Sequence, residues 1–318
     1  MADELSEPVQ ALAQRFGSGD IRALARAISL VEKRDPSVRA LEQALKDRAQ
    51  AYVVGFTGAP GTGKSTLVDA LVALLRKLDR SVAVMATDPN SPFSGGAILG
   101  DRIRMQRHAL DPKVFIRSMG ARGHLGGLSL AARQTIRLLG AFGFDPVILE
   151  TVGVGQSELE VAAVADTTIV VLTPNLGDGV QMIKAGILEI ADIFVVNKAD
   201  LEGSNRAVTE LRGMLSLSNV LGTHKVWKPP IIATSAARQE GIDKLWEAVL
   251  AHRRHLESTG RDRDLARQRL KDETAEVAAE IARDRVRRAL AEDPTLAERL
   301  VADGTPYGTA EEILDRKR

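Results

Sequence analysis

Apolar positions recur along this chain with three different rhythms. Between residues 7 and 50 they fall on helical spacing, with Leu12, Ile21, Leu24, Ile28 and Val31 on one face; Asp35 followed by Pro36 reads as an N-cap with proline at the first helical position. The pattern predicts an N-terminal helical extension over 1–50 that packs its apolar face on another element. From 52 to about 256 the rhythm changes to short β-branched runs separated by helix-length segments. These runs, at 52–57, 81–87, 113–118, 146–150, 167–173, 193–197 and 230–234, are too uniformly apolar to leave a solvated face. They predict an α/β domain over 51–258, a mainly parallel central sheet flanked by helices. Ligands in such sheets bind beyond the carboxyl ends of the strands.

The third rhythm begins near 259 and runs to 318. Residues 261–318 carry 13 basic and 14 acidic side chains and a single aromatic, Tyr307, too little apolar material for a core of their own. Leu270, Val277, Ile281, Val286 and Leu290 form a narrow stripe, which predicts a helical arm that pairs with something else, a second copy of the chain being the simplest partner.

Composition narrows the chemistry. There is no apolar run near the roughly 18 residues of a membrane span, and the first twenty residues, with Asp3, Glu4, Glu7 and Asp20, do not read as a secretory signal. Zero cysteines agree with a cytoplasmic address and exclude thiolate catalysis and thiolate metal sites. A net charge of +1 and 3% aromatic residues argue against nucleic acid as a partner. An anionic ligand must therefore be captured by local chemistry.

That chemistry is present at three strand ends. Gly58-Ala59-Pro60-Gly61-Thr62-Gly63-Lys64-Ser65, with Thr66 next, has P-loop spacing between an apolar strand and a helix marked by Leu67, Val68, Leu71, Leu74 and Leu75. Glycines let backbone N–H groups face phosphates, and the helix N-terminus adds positive potential. Lys64 is the candidate for the terminal phosphates and Ser65 for Mg²⁺. Asn197-Lys198-Ala199-Asp200 ends another strand. A carboxylate at Asp200 accepts from both N1–H and the 2-amino group of guanine, donors that adenine lacks; the Asn197 amide can meet the other edge and the Lys198 stem can cover the ring. Thr234-Ser235-Ala236, with Ala237, supplies backbone N–H groups to the guanine oxygen. Together these predict GTP and GDP as ligands. Asp88, Asp101 and Glu150 are the candidate carboxylates around Mg²⁺. His252 and His255, the one close histidine pair, read as surface residues rather than metal ligands.

Longer runs add a resemblance. Asp88-Pro89-Asn90-Ser91-Pro92-Phe93-Ser94-Gly95-Gly96-Ala97-Ile98-Leu99-Gly100-Asp101-Arg102 and Glu150-Thr151-Val152-Gly153-Val154-Gly155-Gln156-Ser157-Glu158 resemble the methylmalonyl-CoA mutase-associated GTPases of the MeaB or ArgK type. The resemblance implies a GTP-hydrolysing chaperone for an adenosylcobalamin-dependent mutase, which gates cofactor loading and protects the enzyme. It implies a homodimer through the C-terminal arm. It places Lys64 and Ser65 in the P-loop and assigns Asp88 and Asp101 to Mg²⁺ and the first switch, Glu150 to the second switch, and Lys184, within Asn175 to Lys184, to a third switch that the partner engages. No Gln directly follows Gly153, so slow intrinsic hydrolysis is expected, raised when a partner orders the switches. Alternatives stay open: a kinase or ATPase linked to basic amino-acid transport, or a GTPase serving another cobalamin or metal enzyme. The sequence also leaves open which of Arg102, Arg104, Arg107 and Arg122 approaches the phosphates.

Overall fold

The computed structural model describes residues 7–89, 105–108, 110–121, 130–151, 157–174, 187–220, 226–296, 298 and 305–315. Contacts divide the chain into two compact units, Met1–Asp262 and Arg263–Arg318.

Seven strands form the centre of the first unit: β1 (Val53–Thr57), β2 (Val82–Pro89), β3 (Val114–Ala121), β4 (Val147–Thr151), β5 (Thr167–Leu172), β6 (Ile193–Val196) and β7 (Ile231–Ala233). They lie in the order β3-β2-β4-β1-β5-β6-β7, and every pairing is parallel. The strands β1, β4, β5 and β6 are buried throughout, as their unbroken apolar runs require. From β1 the chain moves outward to β2 and β3, returns to β4 beside β1, and then crosses to β5 on the other side. This reversal opens the crevice at the carboxyl ends of β4, β1 and β5 where such sheets bind ligands.

Helices cover both faces. On one, α4 (Lys64–Lys77) and α9 (Ile242–Thr259) pack Leu67, Val68, Leu71 and Leu75, and Leu245, Trp246 and Val249, against Val54, Phe56, Ile148 and Ile169. On the other, the N-terminal helices α1 (Glu7–Gly17), α2 (Ile21–Lys33) and α3 (Ser37–Leu45) join α5 (Leu130–Phe142) and α6 (Ser157–Val164) over Val53, Met85, Val147 and Leu149. Further along that face, α8 (Ser204–Val220) packs Ala207 and Leu211 on Val170, Phe194 and Val196; the short α7 (Ile187–Ile190) precedes β6. Leu24, Ile28 and Val31 are buried as their spacing predicts, each side chain contributing about 1.5–3 kcal/mol. Ile21 is exposed, because it opens α2 directly after its cap, Asp20, whose carboxylate accepts from the Arg22 N–H. Asp35 caps α3 in the same way, accepting from Ser37 N at 2.9 Å and Ser37 Oγ at 2.6 Å, with Pro36 in helical geometry.

The amino ends of the strands show a repeated device. Asp145, Asp166 and Asp192 each stand just before or within two residues of a strand and accept the N–H of a residue opening a neighbouring strand: Tyr52 at 3.1 Å, Val53 at 2.7 Å and Thr168 at 2.8 Å. Asp166 and Asp192 also donate their own N–H to the carbonyls of Val53 and Thr168. Carboxylates thus close hydrogen bonds that a parallel ladder leaves open at its edge. His252 lies beside this row. It is buried, with Nδ1 2.8 Å from Thr167 Oγ1 and its ring against Trp227, which corrects the expectation of a surface residue. The reason is periodic: Leu245, Val249, His252 and Leu256 form one stripe of α9, all buried.

The second unit comprises most of α10 (Arg261–Glu292) and α11 (Pro306–Asp315). On α10, Leu270 and Ile281 are 64% and 61% exposed. No helix among the described residues is long and apolar enough to cross a membrane.

Candidate functional site

The loop between β1 and α4 begins at Gly58, whose φ of 137° and whose Cα approach to Val171 O leave no room for a side chain; a Cβ there would stand 2.3 Å from that oxygen. Lys64, at the head of α4, is buried and donates from Nζ to Gly58 O at 2.7 Å and to Ala59 O at 3.1 Å. It therefore spans the loop formed by Gly58, Ala59, Pro60, Gly61, Thr62 and Gly63, and the first turn of α4, with Ser65 and Thr66, begins at the same place.

Ser65 Oγ donates to Glu150 Oε1 at 2.6 Å, and both residues are buried. Glu150 pairs with Phe56 in the sheet and so faces α4, which is how a residue 85 positions away reaches the P-loop helix. Two hard oxygen donors at one point beside a phosphate-binding loop suit Mg²⁺, which takes oxygen ligands and keeps several waters. Asp88 lies in β2 at the same end of the sheet, and its side chain is outside the described atoms. Asp101 and Lys184, with the segments 90–102, 152–156 and 175–184 where switches are expected, lie outside the described residues. Among the described residues no group of three His, Cys, Asp or Glu side chains could hold a metal by itself.

Asn197, at the end of β6, is buried and engaged through both of its amide heavy atoms. Its Nδ2 donates to Thr62 O at 2.9 Å, and its Oδ1 accepts from Thr234 Oγ1 and from Ala236 N, both at 3.1 Å. It ties the phosphate loop to the loop after β7, a role the spacing alone does not disclose. The Ala236 N–H is therefore committed to Asn197, and Ala237 beside it is exposed. Lys198, at φ 58°, stretches its stem along the site to donate from Nζ to Gly61 O at 2.8 Å.

Asp200 is oriented by Ser235, whose Oγ donates to Oδ1 at 2.6 Å, and Arg238 Nη2 stands 3.8 Å from Oδ2. The Ser235 hydroxyl first, then a backbone N–H and the Arg238 guanidinium, hold this carboxyl below its ordinary range. It is thus a partly exposed, ionised carboxylate held in place by Ser235. The arrangement can hold a polyphosphate at the head of α4, a hard cation beside Ser65, and a base whose edge carries two adjacent donors.

A family model for the methylmalonyl-CoA mutase-associated GTPase MeaB matches residues 24–294. The chain belongs to this family. It is 44% identical over 312 residues to a putative GTPase of Pyrococcus horikoshii, covering 98% of each chain. It is 41% identical over 254 residues to the GTPase ArgK of Escherichia coli, covering 78% of this chain and 77% of that one. A mitochondrial methylmalonic aciduria type A homolog of Caenorhabditis elegans is 35% identical over 278 residues, 82% of this chain and 69% of its own. Among solved structures, a LAO/AO transport system kinase superposes with a TM-score of 0.68 at 29% identity, covering 98% of this chain and 97% of that one. Membership in the MeaB family makes the chain a GTPase, and the α/β fold with its parallel sheet agrees with the sequence expectation.

Proposed function

We propose that this GTPase binds GTP with Mg²⁺ and couples its hydrolysis to the maintenance of methylmalonyl-CoA mutase or a similar adenosylcobalamin enzyme. The family match over residues 24–294 is the observation that carries the client, and the Lys64–Gly58, Ser65–Glu150, Asn197–Thr62 and Ser235–Asp200 contacts support the chemistry.

In this reading Lys64 turns from the Gly58 and Ala59 carbonyls to the terminal phosphates, and Ser65 and Glu150, with Asp88 and Asp101, hold Mg²⁺, which when bound neutralises charge on the β- and γ-phosphates. Asp200 takes the guanine N1–H and 2-amino donors, the Lys198 stem covers one ring face, and Ala237 N–H meets the base oxygen. An adenine base would leave the Asp200 acceptors facing no donor pair, which is strongly penalised. Hydrolysis needs a positioned water and charge stabilisation rather than a covalent intermediate. Lys184 is the residue through which the client would act on the site. The protein works in the cytoplasm as a homodimer through α10, whose Leu270 and Ile281 offer an unpaired stripe.

The test is phosphate release from GTP and from ATP with Mg²⁺, alone and with an equimolar purified mutase. Slow, GTP-selective hydrolysis that accelerates with the mutase is expected. Acceleration by no mutase would leave a GTPase with another client. The kinase name of the related solved structure makes protein phosphorylation the second reading, and phosphate carried by protein instead of water would favour it.

A further inference from the structure

Two hydroxyls at the end of the sheet have incomplete hydrogen bonding. Thr57, the last residue of β1, is fully buried, and its Oγ1 has no hydrogen-bond partner among the described residues. Val54 and Phe56 pack toward α4, so alternation sets Thr57 on the opposite face, the side of Val53. One step beyond the Phe56–Glu150 pair on the adjacent strand stands Thr151, also buried; its Oγ1 reaches Phe56 O only at 3.5 Å, the long limit for such a bond.

Buried hydroxyls are nearly always bonded, and where the protein supplies nothing the partner comes from water or ligand. Each hydroxyl adjoins, in the chain, a residue of the candidate nucleotide site. Thr57 is joined to Gly58, whose carbonyl accepts from Lys64, and Thr151 is joined to Glu150, whose carboxylate accepts from Ser65. Each hydroxyl is thus one peptide from a contact that a triphosphate and its cation must exchange. Resting on the guanine-nucleotide reading above, we infer that Thr57 is a positioning residue for the triphosphate: its hydroxyl, beside that of Thr151, acquires a hydrogen-bond partner only when a third phosphate is held, and so favours GTP over GDP. It acts through Gly58 and Thr151 and touches no reacting atom.

The experiment uses the full chain with Mg²⁺, Thr57→Val, which keeps the shape and removes the hydroxyl, and Thr57→Ser, which keeps the hydroxyl. Binding of a fluorescent GDP and a fluorescent non-hydrolysable GTP analogue, steady-state phosphate release and the thermal midpoint without nucleotide are measured. Thr57→Val is expected to hold the midpoint or raise it, because an unbonded buried hydroxyl is lost. Its GDP affinity should stay within about twofold, while affinity for the GTP analogue and phosphate release fall about fivefold or more, the lower end of ordinary coupling between two binding events. Thr57→Ser should restore both. Unchanged analogue binding and turnover in Thr57→Val overturn the inference. A lowered midpoint with equal losses for GDP and analogue overturns it too, in favour of a purely structural threonine. A wild-type chain that binds no guanine nucleotide removes the underlying reading, and this inference with it.

Discussion

Asn197 and Asp200 divide the work of one short motif between scaffold and ligand. An amide can donate and accept at once, so Asn197 satisfies Thr62 O, Thr234 Oγ1 and Ala236 N together, which an ionised carboxylate, having no donor, could not do. Asp200, with acceptors only, is the carboxylate proposed to meet the base. Asp200→Asn puts a donor where guanine also presents one and where xanthine presents a carbonyl. Affinity for GDP should then fall by about two orders of magnitude or more, while xanthosine diphosphate gains. Nucleotide competition measures this, and unchanged GDP affinity would remove Asp200 from the base site.

Among the elements, the P-loop separates two kinds of glycine. Gly58→Ala would drive a Cβ into the Val171 backbone, and Gly61→Ala, at φ 79° with nothing within 4 Å, meets only the backbone strain of about 1 kcal/mol. The first should lose GDP binding and the second retain most of it, as isothermal titration can show; equal losses would mean that crowding against β5 does not shape the loop. The helix caps carry a pH dependence. Arg15 and the Arg22 N–H hold the Asp20 carboxyl low, and the Ser37 hydroxyl and N–H do the same for Asp35. Carboxyls depressed in the folded chain add stability above their unfolded pKa, about 3.9, and lose it as pH falls through the folded value. The thermal midpoint should therefore drop across the acid range, and Asp35→Asn, which still caps but does not titrate, should flatten that slope. An identical slope in the variant would remove Asp35 from the acid response.

For the whole molecule, two units invite separation at their boundary. A chain ended after Asp262 should keep GDP binding, because the residues proposed to hold the nucleotide all lie before it, and light scattering should find it monomeric beside a dimeric full chain. A truncated chain that stays dimeric would take dimerisation away from the arm, whatever the exposure of Leu270 and Ile281 on the single chain.

The strands were legible because burial on both faces demands unbroken apolar runs, and β1 through β7 begin and end within a few residues of those runs. The P-loop and Asn197 to Asp200 were legible because each is a local chemical device whose parts adjoin in the chain. Helical phase was legible in α2 but was misread at His252, where a polar side chain occupies an apolar stripe whose neighbours already named its face. Strand order was not readable, because the return of β4 to a place between β2 and β1 is a choice of packing, made by which apolar faces meet. With it came everything that depends on distant neighbours: the Ser65–Glu150 bond across 85 residues, the commitment of Asn197 to Thr62 across 135, and the unpartnered hydroxyl of Thr57. Local chemistry travels with the chain, whereas hydrogen-bond satisfaction in a buried site exists only once the strands that enclose it have been brought together.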